Sequence, residues 1–163
     1  SDALNMFKEE KNVELFAKYG IISKDELLSQ IDVIANEYIN DIFVESKVLY
    51  EMIEQEILPS VYNYIKELMD IENATKQMSK SIKINEVKDK IVRLANMSNE
   101  LYKENNELFE MISDKILMKK MDYCSKDVRN KMKDIRIICD SMEGMMPKDK
   151  WPIPTYEDIL YSI

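Results

Sequence analysis

The sequence predicts an all-α fold. It should be an antiparallel helical bundle with a long two-helix hairpin, about residues 45–120, covered by shorter helices and by an extended, proline-rich C-terminal tail. Three observations predict it. Apolar residues recur at three- and four-residue steps along most of the chain, the period of a helix with one buried face. The 163 residues include only two glycines and four prolines, too little punctuation for a many-turned β fold. Ser, Asn and Asp stand just ahead of the apolar stripes, where they can cap helices.

Residues 12–20 make a short amphipathic piece, with Val13, Leu15, Phe16 and Tyr19 apolar and Gly20 as its stop. Ser23 and Glu26 form a capping box for a first long helix, whose stripe is Leu27, Ile31, Ile34, Tyr38 and Ile42. A break within 40–46 is plausible, because Ile42-Phe43-Val44 is a poor helix-forming run. The apolar phase carries on to Leu49, Ile53 and Ile57, so one continuous helix is the alternative. The second helix runs to about Met78 with Val48, Met52, Val61, Ile65 and Leu68 inward. Pro59 lies inside it and predicts a kink near residues 55–59. Ser79 to Ile84 connect.

Asn85 is the expected cap of the third helix, whose stripe is Val87, Ile91, Leu94, Leu101, Leu108, Ile112 and Ile116. Its wet side offers Glu86–Lys90 and Asp89–Arg93 as i,i+4 pairs, and Lys119 and Lys120 suit its end. Ser125 is the expected cap of a fourth helix with Val128, Met132, Ile135, Cys139 and Met142 inward. Gly144 and Pro147 end it. The first and fourth helices are expected to cover the same half of the hairpin, leaving a two-helix arm with its tip near residues 70–90. Trp151-Pro152-Ile153-Pro154 must be extended, and Thr155 and Asp158 suit one last short turn through Leu160. The chain thus divides into a lead-in (1–22), a bundle (23–146) and a docking tail (147–163), all one domain.

Composition excludes several function classes. The net charge of −8 argues against a nucleic-acid binder, which needs a basic face to neutralise phosphates. There is no histidine, so the commonest general base and metal ligand is missing. No Gly-rich phosphate loop is possible with Gly20 and Gly144 alone. No apolar run reaches the roughly 18 residues of a membrane span, and no signal pattern opens the chain, so a cytoplasmic location is the expectation. Cys124 and Cys139 lie about 22 Å apart along a helix, too far for a disulfide, and read as packing residues.

The remaining candidates are weighed against plainer readings. Glu51, Glu54 and Glu56, and Glu104, Glu107 and Glu110, could gather a divalent cation, but one helix face does not supply convergent oxygens, so a solvated face is expected. The methionines, Met52, Met111 and Met132 among them, fill core; Met145 and Met146 flank a helix end. Tyr123-Cys124 lacks a base to activate the thiol. Arg93, Arg129 and Arg136 are the only arginines, which disfavours a small enzyme acting on anions. No catalytic, cofactor-binding or metal residue is therefore expected. The tail differs. Trp151, Pro152, Ile153, Pro154 and Tyr156 combine pre-stiffened backbone with two large aromatics, the make-up of a segment that docks, on its own bundle or on a neighbouring subunit.

Trp-Pro-Ile-Pro-Thr-Tyr at 151–156, then Ile159-Leu160-Tyr161, resembles the close of type III glutamine synthetases. Arg136, Asp140 and Glu143 match a pattern that family carries before its tail. Ile57-Leu58-Pro59 matches its Ile-Leu-Pro kink. Val13-Glu14-Leu15-Phe16, Tyr19-Gly20-Ile21, Glu26-Leu27 and Glu37-Tyr38 resemble its segment leading out of the catalytic domain. The order of these motifs spans almost the whole chain. The resemblance implies a non-catalytic C-terminal helical domain with a structural or subunit-interaction role. It implies a parent that ligates glutamate and ammonia with ATP and magnesium. It also implies partners in the catalytic domain of the same chain and in neighbouring subunits of a homo-oligomer, with neither nucleic acid nor membrane. A free-standing helical adaptor is the alternative.

Overall fold

The computed structural model describes residues 2–78, 84–154 and 156–161. Among the described residues there is no strand, and the all-α class holds. The helices are α1 (Asp2–Lys8), α2 (Glu10–Lys18), α3 (Lys24–Met52), α4 (Leu58–Met78), α5 (Asn85–Ser113), α6 (Arg129–Glu143) and α7 (Tyr156–Tyr161). π-helical turns at Ile53–Ile57 and Tyr123–Val128 lead into α4 and α6.

The chain forms two compact units, residues 1–47 with 110–130, and residues 48–109 with 131–163. In the first, α2 lies on the start of α3: Val13, Leu27 and Ile31 form a buried cluster with Leu4, Phe16 and Ile22 against it. Gly20 ends α2 in the left-handed region at φ 64°, where a Cβ is costly. The Gly20 N–H donates to Ala17 O and the Ile21 N–H to Phe16 O, the paired bonds of a Schellman stop. Ser23 then caps α3, its Oγ accepting from the Glu26 N–H at 3.3 Å. Ile42, Ile112, Met118, Cys124 and Val128 complete the unit's buried apolar residues.

In the second unit α4 and α5 run antiparallel. Asn105 bonds to Tyr50 and Glu54, Phe109 stacks on Tyr50, and Lys90 sits over the Tyr64 ring at 5.4 Å, so partner numbers fall as the first helix advances. Ile53, Ile57, Leu58, Val61, Tyr64 and Leu68 on the one side, Leu94, Leu101 and Leu108 of α5, and Ile135, Cys139 and Met142 of α6 are the buried apolar residues of this unit's described helices.

Several sequence expectations are corrected. The backbone is helical without a break from Lys24 to Met78, so the first and second predicted helices are one and cannot lie side by side. The continuous apolar phase outweighs the poor local propensity of Ile42-Phe43-Val44. At the predicted kink the helix widens into a π turn just before Pro59, which supplies no N–H to the helix ladder. Val48 is outward, 48 % exposed. Helix α5 begins with Ile84 O accepting from Lys88 N–H, so Asn85 is its first residue rather than its cap. It ends at Ser113, where Asp114 Oδ1 accepts from the Ile116 and Leu117 N–H groups at 2.9 and 3.0 Å and starts a 3-10 turn; Ile116 is exposed. Ser125 lies inside the second π turn and donates to Asp122 O instead of capping α6. Gly144 stops α6 without a left-handed φ. The connection Ser79–Lys83 and Thr155 lie outside the described residues.

Candidate functional site

The tail is built from its prolines. Pro147 is extended (φ −62°, ψ 144°), and a 3-10 turn, Lys148–Lys150, follows as the Lys150 and Trp151 N–H groups return to Pro147 O at 2.9 and 3.2 Å. The turn packs on α4. Lys150 Nζ donates to Glu67 Oε1 at 2.7 Å, and this bond and charge hold the ammonium's pKa above its ordinary value. Lys148 pairs with Asp158 of α7 at 2.7 Å. Trp151, Pro152 and Ile153 are half-buried and Pro154 is exposed. Tyr156 opens α7; its side chain lies outside the described residues. A shallow groove between α4 and the turn is lined by Tyr64, Glu67, Asp70, Asp149 and Lys150. Three carboxylates beside Lys66 and the already paired Lys150 make it a poor seat for an anionic substrate.

The acidic clusters have protein partners. Glu54 accepts from the Asn105 amide at 3.1 Å. Glu104 and Glu107 both accept from Lys131 Nζ, at 2.7 and 2.6 Å, where Lys131 is only 18 % exposed. Burial by itself would lower the pKa of Lys131, but the two carboxylates outweigh it and raise it. The Lys131 hydrogen bond and charge lower the pKa of Glu107. Among the described residues no group of three or more Cys, Asp or Glu is arranged to hold a metal ion.

Both cysteines are free and buried. Cys124 Sγ donates to Met118 O at 3.2 Å, and burial raises its pKa. Burial pushes Cys139 up to about 12. Neither is a thiolate at neutral pH, so neither is an activated nucleophile. Tyr123 is likewise raised, by burial and then by Asp114 and Asp127. Arg136 pairs with Asp140 at 3.7 Å on an exposed side of α6.

Sequence reasoning missed two residues. Asn105 had a signal: it interrupts an apolar stripe, Leu101 and Leu108 being one heptad apart with Asn105 between them. It is fully buried, donates to Tyr50 O and Glu54, and its Oδ1 has no partner among the described residues. Lys131 had none, since only the fold brings it to Glu104 and Glu107.

Residues 1–78 match the glutamine synthetase C-terminal domain family. The similarity continues past that segment. The type-3 glutamine synthetase of Dictyostelium discoideum is 25 % identical across 98 % of this chain. The chain resembles the C-terminal region of type III glutamine synthetases. A glutamine synthetase of Butyrivibrio fibrisolvens is 23 % identical across 99 % of the chain. The chain spans about a quarter of these glutamine synthetases, 23 % and 24 % of their lengths. No solved structure matches it. The glutamine synthetase-like motifs fall at structural joints: Val13, Phe16 and Leu27 in the α2–α3 cluster, Gly20 at the α2 stop, and Ile57-Leu58-Pro59 at the π turn. No helix of the described residues is long and apolar enough to cross a membrane.

Proposed function

We propose that this chain is a non-catalytic helical interaction domain of a type III glutamine synthetase-like ligase, and that its work is structural. One observation carries the reading: almost the whole chain aligns with proteins of which it makes up only about a quarter. The chemistry of ATP-driven glutamate–ammonia ligation, with its ATP and magnesium, then belongs to the other three quarters. In support of this reading, four carboxylates serve the chain's own side chains: Glu104 and Glu107 bind Lys131, Glu54 binds Asn105 and Glu67 binds Lys150. The tail residues Trp151, Pro152, Ile153, Pro154 and Tyr156 are the contact segment in this proposal, toward the bundle or toward a neighbouring subunit of a homo-oligomer in the cytoplasm.

The test has two arms. The purified chain, given glutamate, ammonia, ATP and magnesium, is expected to make no glutamine. Mixed with the D. discoideum enzyme from which the matching C-terminal part has been removed, it is expected to co-elute with that enzyme in gel filtration. Turnover by the chain alone, or separate elution at all concentrations, overturns the reading.

A further inference from the structure

The charge of this acidic chain is unevenly placed. From Asp25 to Ser46 there are six carboxylates and no cation. From Lys115 to Arg136 there are eight cations and three carboxylates. Each segment shows its sign on an exposed helix side.

On α3, the buried side carries Leu27, Ile31, Ile42 and Ser46. Opposite it, at helical steps of three, four and seven, stand Glu26, Val33, Glu37, Asp41 and Val44, all exposed, with the two valines 56 and 57 % open. On α6, the buried side carries Ile135, Cys139 and Met142. Opposite it stand Arg129, Lys133, Arg136 and Ile137, again exposed, with Ile137 63 % open. Asp140, the partner of Arg136, is exposed on this same side, so the strip is net cationic with one carboxylate in it. Both strips therefore mix apolar residues with charge, and their net signs are opposite: Glu26, Glu37 and Asp41 on α3, and Arg129, Lys133 and Arg136 less Asp140 on α6.

We infer that the outer side of α6 in one copy of this chain docks on the outer side of α3 in another. The occupant is a second copy because the chain itself carries the complement: a cationic strip needs an acidic, partly apolar helix face, and α3 presents one. Opposed strips steer encounter and fix register, and the central Val33, Val44 and Ile137 supply apolar contact. Such a contact joins different surfaces, so it closes into a ring or continues as a chain of copies. The inference deepens the proposed role as an interaction domain.

The test is sedimentation of the full chain over a range of concentrations in low and high salt. Self-association is expected, weakening as salt screens the strips. The triple variant Arg129→Glu, Lys133→Glu, Arg136→Glu, and separately the double variant Glu37→Lys, Asp41→Lys, are each expected to lose self-association about tenfold or more, with helical circular dichroism unchanged. Mixing the two variants should restore mixed assemblies, because each then offers the strip the other needs. Three results overturn the pairing: a chain monomeric at every concentration, association indifferent to both charge reversals, or a mixture that stays monomeric. Association that persists through both reversals leaves the interaction-domain reading standing, since co-elution with the truncated ligase tests that separately.

Discussion

Lys131 reaches two carboxylates nearly one turn apart on α5, and its ammonium is mostly shielded from water. Holding a charge there costs desolvation, and the two short bonds offset it. Removing the lysine leaves Glu104 and Glu107 without their shared partner, with only the longer Lys103–Glu107 pair at 3.6 Å remaining on α5. Lys131→Met, which keeps the aliphatic stem, is expected to destabilise the chain by about 1–3 kcal/mol at neutral pH, read from urea midpoints. The pH dependence follows from the two directions. Glu107 is lowered in the folded state, so its contribution is present above the ordinary carboxylate value of 4.5 and is lost as pH falls through the folded value beneath it. Lys131 is raised, so its contribution is present below 10.5 and is lost as pH rises through the folded value above that. The gap between wild type and Lys131→Met should therefore narrow in acid below 4.5 and again in strong base. A gap independent of pH would remove the clamp from the account.

Helix α4 inherits its buried side from α3 through the π turn, and the handover is visible in two neighbours. Ile57 and Leu58 are both buried, at 2 and 3 % exposure, although adjacent residues of an ordinary helix point about 100° apart. The widened turn passes the inward side from Ile53 and Ile57 to Leu58, Val61, Tyr64 and Leu68. Ile57→Ala and Leu58→Ala should thus each cost about 2–5 kcal/mol by chemical denaturation. A Leu58→Ala variant of near-wild-type stability would show that the handover is not made there. This turn also marks the limit of what periodicity reveals. Helix existence, the capping Ser23 and the stop at Gly20 follow from local patterns, and the structure has them. Val48 is apolar but lies off the steps of four and seven that join the buried Ile42, Ser46, Ile53 and Ile57, so residue type alone gives it an inward place it does not have. Helix α5 ends short of Ile116, which continues the apolar phase, because Asp114, one carboxylate accepting two N–H groups, diverts the backbone. The pairing of Lys131 depends on which elements meet, which no local pattern carries.

The chain devotes a segment of fixed, extended backbone to a contact near its end, and its only tryptophan sits there. Two ion pairs hold that segment, Lys150 to Glu67 on α4 and Lys148 to Asp158 on α7. Both are largely open to water and contribute little by themselves, so the apolar contact of Trp151, Pro152 and Ile153 must carry most of the tail's attachment. Trp151 is half-buried rather than enclosed, so Trp151→Ala should cost about 1–3 kcal/mol, less than the roughly 3–5 kcal/mol of a fully enclosed ring. Its fluorescence reports on this contact alone. Emission in the folded chain should lie to the blue of free tryptophan, be partly accessible to a soluble quencher, and redden on unfolding. The open side of the ring makes a second expectation possible. If the tail also meets a neighbouring subunit, emission should move further to the blue and quenching should fall as concentration rises, and Trp151→Ala should weaken assembly as well as folding. Solvent-like emission in the folded chain at every concentration would detach the tail from both roles.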